Sequence, residues 1–170
     1  AGCKTSVIPT DGSVTIIGSE AFRGCSGLLS ITIPDSVMDI GRNAFSGCTG
    51  LTSITVAQGN TKYHSAGNCL IETESKTLIA GCKTSVIPTD GSVTIIGHFA
   101  FYGCRNLTSI TIPDSVTSIR LHVFYDCSGL TSITYKGTTK QWRAISKLPA
   151  WNKGLPSSCK IVCTDGTIAM

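Results

Sequence analysis

The chain has 170 residues, 14 Lys/Arg against 10 Asp/Glu, 18 Gly and nine Cys, with only 14% charged and 6% aromatic residues. That profile excludes a bundle of long charged helices and suits many short strands joined by turns. The charge is uneven: residues 1–135 carry eight Lys/Arg against nine Asp/Glu, whereas 136–170 carry Lys136, Lys140, Arg143, Lys147, Lys153 and Lys160 against Asp165 alone.

The first eighteen residues, AGCKTSVIPTDGSVTIIG, return unchanged at Ala80. Ala1–Thr55 aligns on Ala80–Thr134 with about 40 identities in about 55 positions, a duplication with a period of about 79. A shorter period of about 23 lies inside it. In chain order, VIP at Val7 reads as a short strand, and Phe22-x-x-Cys25 closes the first unit. SITIP from Ser30 alternates polar and apolar, a strand with one buried side, which Pro34 ends because it has no ladder N–H. Asp35-Ser36-Val37 turns the chain, Val37 and Ile40 point inward, and Phe45-x-x-Cys48 closes the second unit. Ser53–Val56 repeats the strand. Asn68–Cys82 reads as a β-hairpin about a Thr-Glu-Ser-Lys turn. The second copy then supplies Val86 in a short strand, Phe101/Cys104, SITIP from Ser109, Val116/Ile119, Phe124/Cys127 and SIT from Ser132. Each Ala-Phe-x-x-Cys piece is too short for a helix and predicts one helical or 3₁₀ turn. After Tyr135 the period breaks. Thr139 is placed to cap a helix over Lys140–Lys147 with Trp142 and Ile145 on one face, and CKIVCTDGTI predicts a strand and an Asp-Gly turn.

A unit this small cannot bury its own apolar face, but stacked copies can, so the pattern predicts a solenoid. L-x-x-I-x-I-P followed by S-V-x-x-I-G-x-x-A-F-x-x-C resembles the BspA-like class of leucine-rich repeats found on bacterial surfaces. The likeness runs from about Cys3 to Tyr135. Arg120 departs from it where another unit has Gly41, and Val123 replaces Ala. The resemblance implies an α/β repeat solenoid, mostly β: a right-handed leucine-rich-repeat array of short parallel strands and helical turns over 1–135, carrying the hairpin at about 68–82. A capping segment over 136–170 follows, since Gly-Thr-x-x-Gln-Trp is similar to the ends of BspA-like arrays. It further implies a non-catalytic, secreted or surface-displayed bacterial protein that adheres to a host or cell-surface protein. A carbohydrate-binding or spacer module of a larger secreted enzyme is the alternative. Ala1-Gly2-Cys3 matches Ala80-Gly81-Cys82, the tail of a hairpin, so more repeats and a leader are expected upstream. Self-association through the N-terminal edge is expected as well.

The chemistry-bearing residues point away from catalysis. There is no Gly-x-Ser-x-Gly elbow, P-loop or His-Glu-x-x-His. His64, His98 and His122 are scattered, Glu72 and Glu74 flank the hairpin turn, and Cys159-x₃-Cys163 has no second pair to complete a zinc site. No cofactor or metal is expected. Cys25/Cys48 and Cys104/Cys127 fall on one ladder position per coil, as buried free thiols would. A bond between Cys69 and Cys82 stays open, and one between Cys159 and Cys163 on the same strand face does not. Without a nucleic-acid module, or an apolar run of about 18 residues, neither nucleic acid nor membrane insertion is expected. The outward residues of the strands, Ser30, Thr32, Ser53, Thr55, Ser109, Thr111, Ser132 and Thr134, form a candidate ligand face. Trp142 and Trp151 are candidate cap contacts, either a sugar platform or a seal on the core. Tyr63, Tyr102, Tyr125, Arg23, Arg42 and Arg105 make an alternative contact set in the turns.

Overall fold

A computed structural model describes residues 7–170. In chain order they form β1 (Ile16–Ile17), β2 (Ser30–Ile33), β3 (Asp39–Ile40), β4 (Ser53–Val56), β5 (Tyr63–Ala66), β6 (Cys69–Glu72) and β7 (Thr77–Ala80). There follow β8 (Ile95–Ile96), β9 (Ser109–Ile112), β10 (Ser118–Ile119), β11 (Ser132–Tyr135), α1 (Thr139–Ala144), β12 (Ser146–Lys147), β13 (Lys160–Cys163) and β14 (Gly166–Ala169). The chain is a repeat solenoid, mostly β, with three sides.

The Ser-Ile-Thr strands make the first side. β2 pairs in parallel with β4, and β9, β11 and β13 pair in parallel in that order. Ile31 meets Ile54 and Ile110 meets Ile133 in register, all buried, while the hydroxyl residues face out. The Val-x-x-Ile segments make the second side, where β1 pairs with β3, and β8, β10 and β12 pair in turn. Ser36 Oγ and Ser115 Oγ donate to the carbonyls of Val14 and Val93 one coil back, so the Asp-Ser-Val turn also ties coils together.

The third side consists of turns without helix. Ala21, Arg23 and Cys25 donate N–H bonds to residues three back, while Glu20, Phe22 and Gly24 donate to Arg42, Ala44 and Ser46 of the next coil. Left-handed residues four apart, Glu20 (φ 61°) and Gly24 (φ 70°), impose this alternation, and Asn43/Gly47, Phe99/Gly103 and His122/Asp126 repeat it. The expected turn is present as isolated i→i−3 bonds that do not run on into a helix, because every second N–H serves the neighbouring coil and not its own turn. Gly103 is required here: a Cβ on it would stand 3.1 Å from Gly47 Cα.

The predicted hairpin is part of a three-stranded antiparallel meander, β5-β6-β7, whose last strand joins β8 in parallel. β5 was not visible in the sequence pattern because Tyr-His-Ser-Ala lacks apolar alternation. The meander divides the interior: Leu70 packs with the first core, and Cys69 and Ile71 with the second. Val7 and Val86 are not in strands, contrary to expectation. Val86 N–H instead donates to the Gly67 carbonyl (2.8 Å). The matching of Ala1–Cys3 to a hairpin tail lies outside the described residues.

Beyond residue 135, β12 and β13 extend both sheets, and β14 folds back antiparallel on β13. The helix begins one residue earlier than expected. Thr138 is its cap, forming a reciprocal capping box with Gln141, and it stops at Ala144 because Ser146–Lys147 pair with Ser118–Ile119. The carboxylate of Asp165, in the β13–β14 turn, accepts from Thr139 N–H (2.7 Å) and Oγ1 (3.1 Å), pinning that turn to the helix start.

Candidate functional site

The eight strand hydroxyl residues lie together in two patches. Ser30, Thr32, Ser53 and Thr55 are on β2–β4, and Ser109, Thr111, Ser132 and Thr134 are on β9–β11. Thr32 and Thr55 hydroxyls bond each other at 2.9 Å across the ladder. On β13 the same columns end in Lys160 and Val162. The face carries neither an aromatic ring nor an arginine.

The turn side is different. Tyr102 stacks on Tyr125 with ring centroids 5.0 Å apart and planes 3° from parallel. His122 meets Tyr125 edge-on at 5.0 Å and Phe99 at 5.4 Å, and Phe99 leans on Tyr102. All four rings are half-exposed. Lys153 holds its ammonium 5.8 Å from the Tyr125 ring, and Arg105 bonds Asp126 through Nε at 3.0 Å. The solenoid period brings these rings together. Phe99 and His122 occupy the same left-handed position in successive coils, and Tyr102 and Tyr125 the position three residues on. Sequence reasoning found the two tyrosines but not Phe99. The signal was available in the alignment of the shorter period, where an aromatic ring twice fills a column that is Glu20 and Asn43 elsewhere. Of the other turn candidates, Arg23 and Arg42 are exposed, whereas Tyr63 is buried in β5 and is not a contact residue.

The tryptophans seal the end of the core. Trp142 is 3% exposed, packed edge-on against Tyr135 and Trp151 at 5.3 and 5.8 Å. Lys147 covers its ring at 4.6 Å and donates to the carbonyls of Trp142 and Ile145. A buried ring offers no stacking face to a sugar, so Trp142 is not an exposed platform. Trp151 stands at the coil position of Ala44 and Val123, its carbonyl accepting from Phe124 N–H, and packs edge-on to the Phe124 ring.

The thiols are explained by coil stacking. Cys48 Sγ and Cys127 Sγ each donate at 3.0 Å to the carbonyl of the preceding coil's phenylalanine, Phe22 and Phe101. Burial pushes Cys69 and Cys127 up to about 12 and Cys104 well above its ordinary value. Such thiols are protonated at neutral pH and poor nucleophiles. Cys69 and Cys82 are free thiols, and so are Cys159 and Cys163, which share one buried face. Glu72 pairs with Lys62 at 3.6 Å. No cluster of three His, Cys, Asp or Glu that could hold a metal occurs among the described residues.

The BspA-type leucine-rich repeat region, in six copies, matches residues 1–75 and 71–144. The chain belongs to this family. Its two matched segments meet at the meander that divides the core. No curated protein matches the chain. Among solved structures, this BspA-type repeat protein is similar to a leucine-rich repeat protein from Eubacterium ventriosum, with 22% identity and a TM-score of 0.54. That match covers 73% of this chain and 40% of that one. It is also similar to the pneumococcal vaccine antigen PcpA, with 16% identity and a TM-score of 0.51, covering 89% of this chain and 55% of that one. Both likenesses are of fold, and the chain spans about half the length of these proteins or less. Among the described residues no helix is long and apolar enough to cross a membrane.

Proposed function

We propose that this BspA-type array is a non-catalytic binding module of a secreted or surface-displayed bacterial protein, acting in adhesion by recognising a host or cell-surface protein. The observation that carries this reading is the half-exposed ridge of Phe99, Tyr102, His122 and Tyr125, bordered by Lys153 and Arg105. Aromatic and arginine side chains dominate the energetics of protein contacts, whereas serine and threonine contribute little. The turn ridge therefore supports recognition better than the strand hydroxyls. Burial of Trp142 weakens the carbohydrate-binding alternative. A second copy of the chain is a further partner, since β2 offers an edge with one paired neighbour; a clean monomer in sedimentation at millimolar concentration removes it.

The test is binding to immobilised host matrix proteins, with soluble polysaccharides in parallel. Saturable binding to a protein that falls at least about tenfold in a Tyr102→Ala/Tyr125→Ala variant is expected. Binding only to polysaccharides, or no loss in the variant, overturns the assignment.

A further inference from the structure

Where the two long repeats meet, the second side of the solenoid is interrupted. β3 bonds only to β1, and β7 bonds to β6 and β8, so β3 and β7 are not paired. A cleft of about 200 Å³ opens between them. Its floor includes the half-buried side chains of Ile40 and Ile79, and its rim carries Arg42, His98 and Arg120. No aspartate or glutamate lines it.

The three basic residues come from different levels, with β7 lying between the first and the second. Arg42 follows β3, His98 follows β8, and Arg120 follows β10. Arg120 stands where the unit of β3 has Gly41 and that of β8 has Gly97. At those glycines a Cβ would come within 2.3 Å of Ser19 N and 2.7 Å of the Leu78 carbonyl oxygen, so neither level can carry a side chain there. Arg42, His98 and Arg120 all line this one cleft, and His98 is held below its ordinary value first by burial, then by the positive charges of Arg42 and Arg120. The ion pairs among the described residues are Arg23–Glu20, Lys62–Glu72 and Arg105–Asp126, so neither Arg42 nor Arg120 has a carboxylate partner.

We infer that this cleft binds a small organic carboxylate, its carboxylate between Arg42 and Arg120 and its apolar body against Ile40 and Ile79. Ligand sites combine an apolar lining with a few placed polar groups, and guanidinium is the side chain best matched to a carboxylate. The cleft shares Phe99 and Tyr102 with the ridge, but its carboxylate is read by Arg42 and Arg120, so this assignment stands whether or not protein recognition by the ridge holds.

The probe is hexanoate, titrated into the whole chain by calorimetry or NMR, with hexanamide and inorganic phosphate as comparisons. Saturable hexanoate binding is expected, at least about tenfold tighter than that of the uncharged amide or the bare anion. Arg42→Gln/Arg120→Gln should weaken it at least about tenfold while circular dichroism shows the fold retained. Lys140→Gln, exposed on α1 and outside the cleft, should leave it unchanged. Equal binding of hexanamide shows that charge is not read. Equal binding of phosphate shows that the apolar body is not read. Either result, or full affinity in the arginine variant, overturns the proposal.

Discussion

The same eighteen residues occur at both ends of the duplication, yet the structure treats the two copies differently. Val93 is fully buried and its twin Val14 only partly so, and Ile16 is 62% exposed where Ile95 is half-buried. Phe101 is sealed and stacked on Phe124 at 5.4 Å, while Phe22 stacks on Phe45 at the same distance but remains half-exposed. The reason is position in the array: among the described residues β8 has strands on both sides, β7 and β10, whereas β1 has β3 alone. A repeat unit's burial is supplied by its neighbours and not by its own sequence.

Truncating the phenylalanines should separate the copies most widely. Phe101→Ala is expected to cost about 3–5 kcal/mol, the range for a sealed aromatic. Phe22→Ala should cost less than half as much, and denaturant midpoints of the two variants measure the gap. Equal losses would show that the array unfolds as though both ends were interior. A smaller effect of the same kind is expected at the valines, about 2 kcal/mol for Val93→Ala against under about 1 for Val14→Ala.

The buried thiols sharpen the contrast from the side of pH. Cys69 and Cys127, both in the second core, are raised from 9.0 to about 12 by burial. Below pH 9 they are protonated in both folded and unfolded chains and their contribution is constant. Between 9 and about 12 only the unfolded chain ionises, so stability should fall as pH rises through that window. Stability measured from pH 8 to 11 in the natural chain and in a Cys69→Ala/Cys127→Ala variant checks this, the variant showing the shallower slope. The smallest effect belongs to the strand face. Thr32→Val removes an exposed hydroxyl bond to Thr55 and should shift stability by no more than about 0.5 kcal/mol, read by thermal unfolding.

Much of the fold was legible because its signals are short-range. Ile31, Ile33, Ile110 and Ile112 alternate with hydroxyls and had to be inside a strand. The proline stops and the thiol column followed from the same period, and the hairpin turn at residues 73–76 from the polar Thr-Glu-Ser-Lys stretch between two apolar runs. The turn conformation was not legible, because left-handed residues such as Phe99 and His122 are imposed by bonds to the next coil. Nor was β5, whose partners are fixed by the register of β6. The strand hydroxyls were recognised as a surface, but the closer ring packing of the turn side depends on a stacking distance that no single unit reveals.

What the sequence determined alone is what lies within a few residues. Asp11 accepts from Ser13 N–H at 2.9 Å and Asp90 from Ser92 N–H at 2.9 Å, the same turn in both copies, and the carboxyl of Asp11 is lowered first by the Ser13 hydroxyl. The alternation that aims each isoleucine inward is equally local. The tertiary structure alone decided how deeply each copy is buried, that the meander divides the core, and that Arg42, His98 and Arg120 share one cleft. Those outcomes depend on which coil lies next, and identical residues respond to different neighbours with different burial.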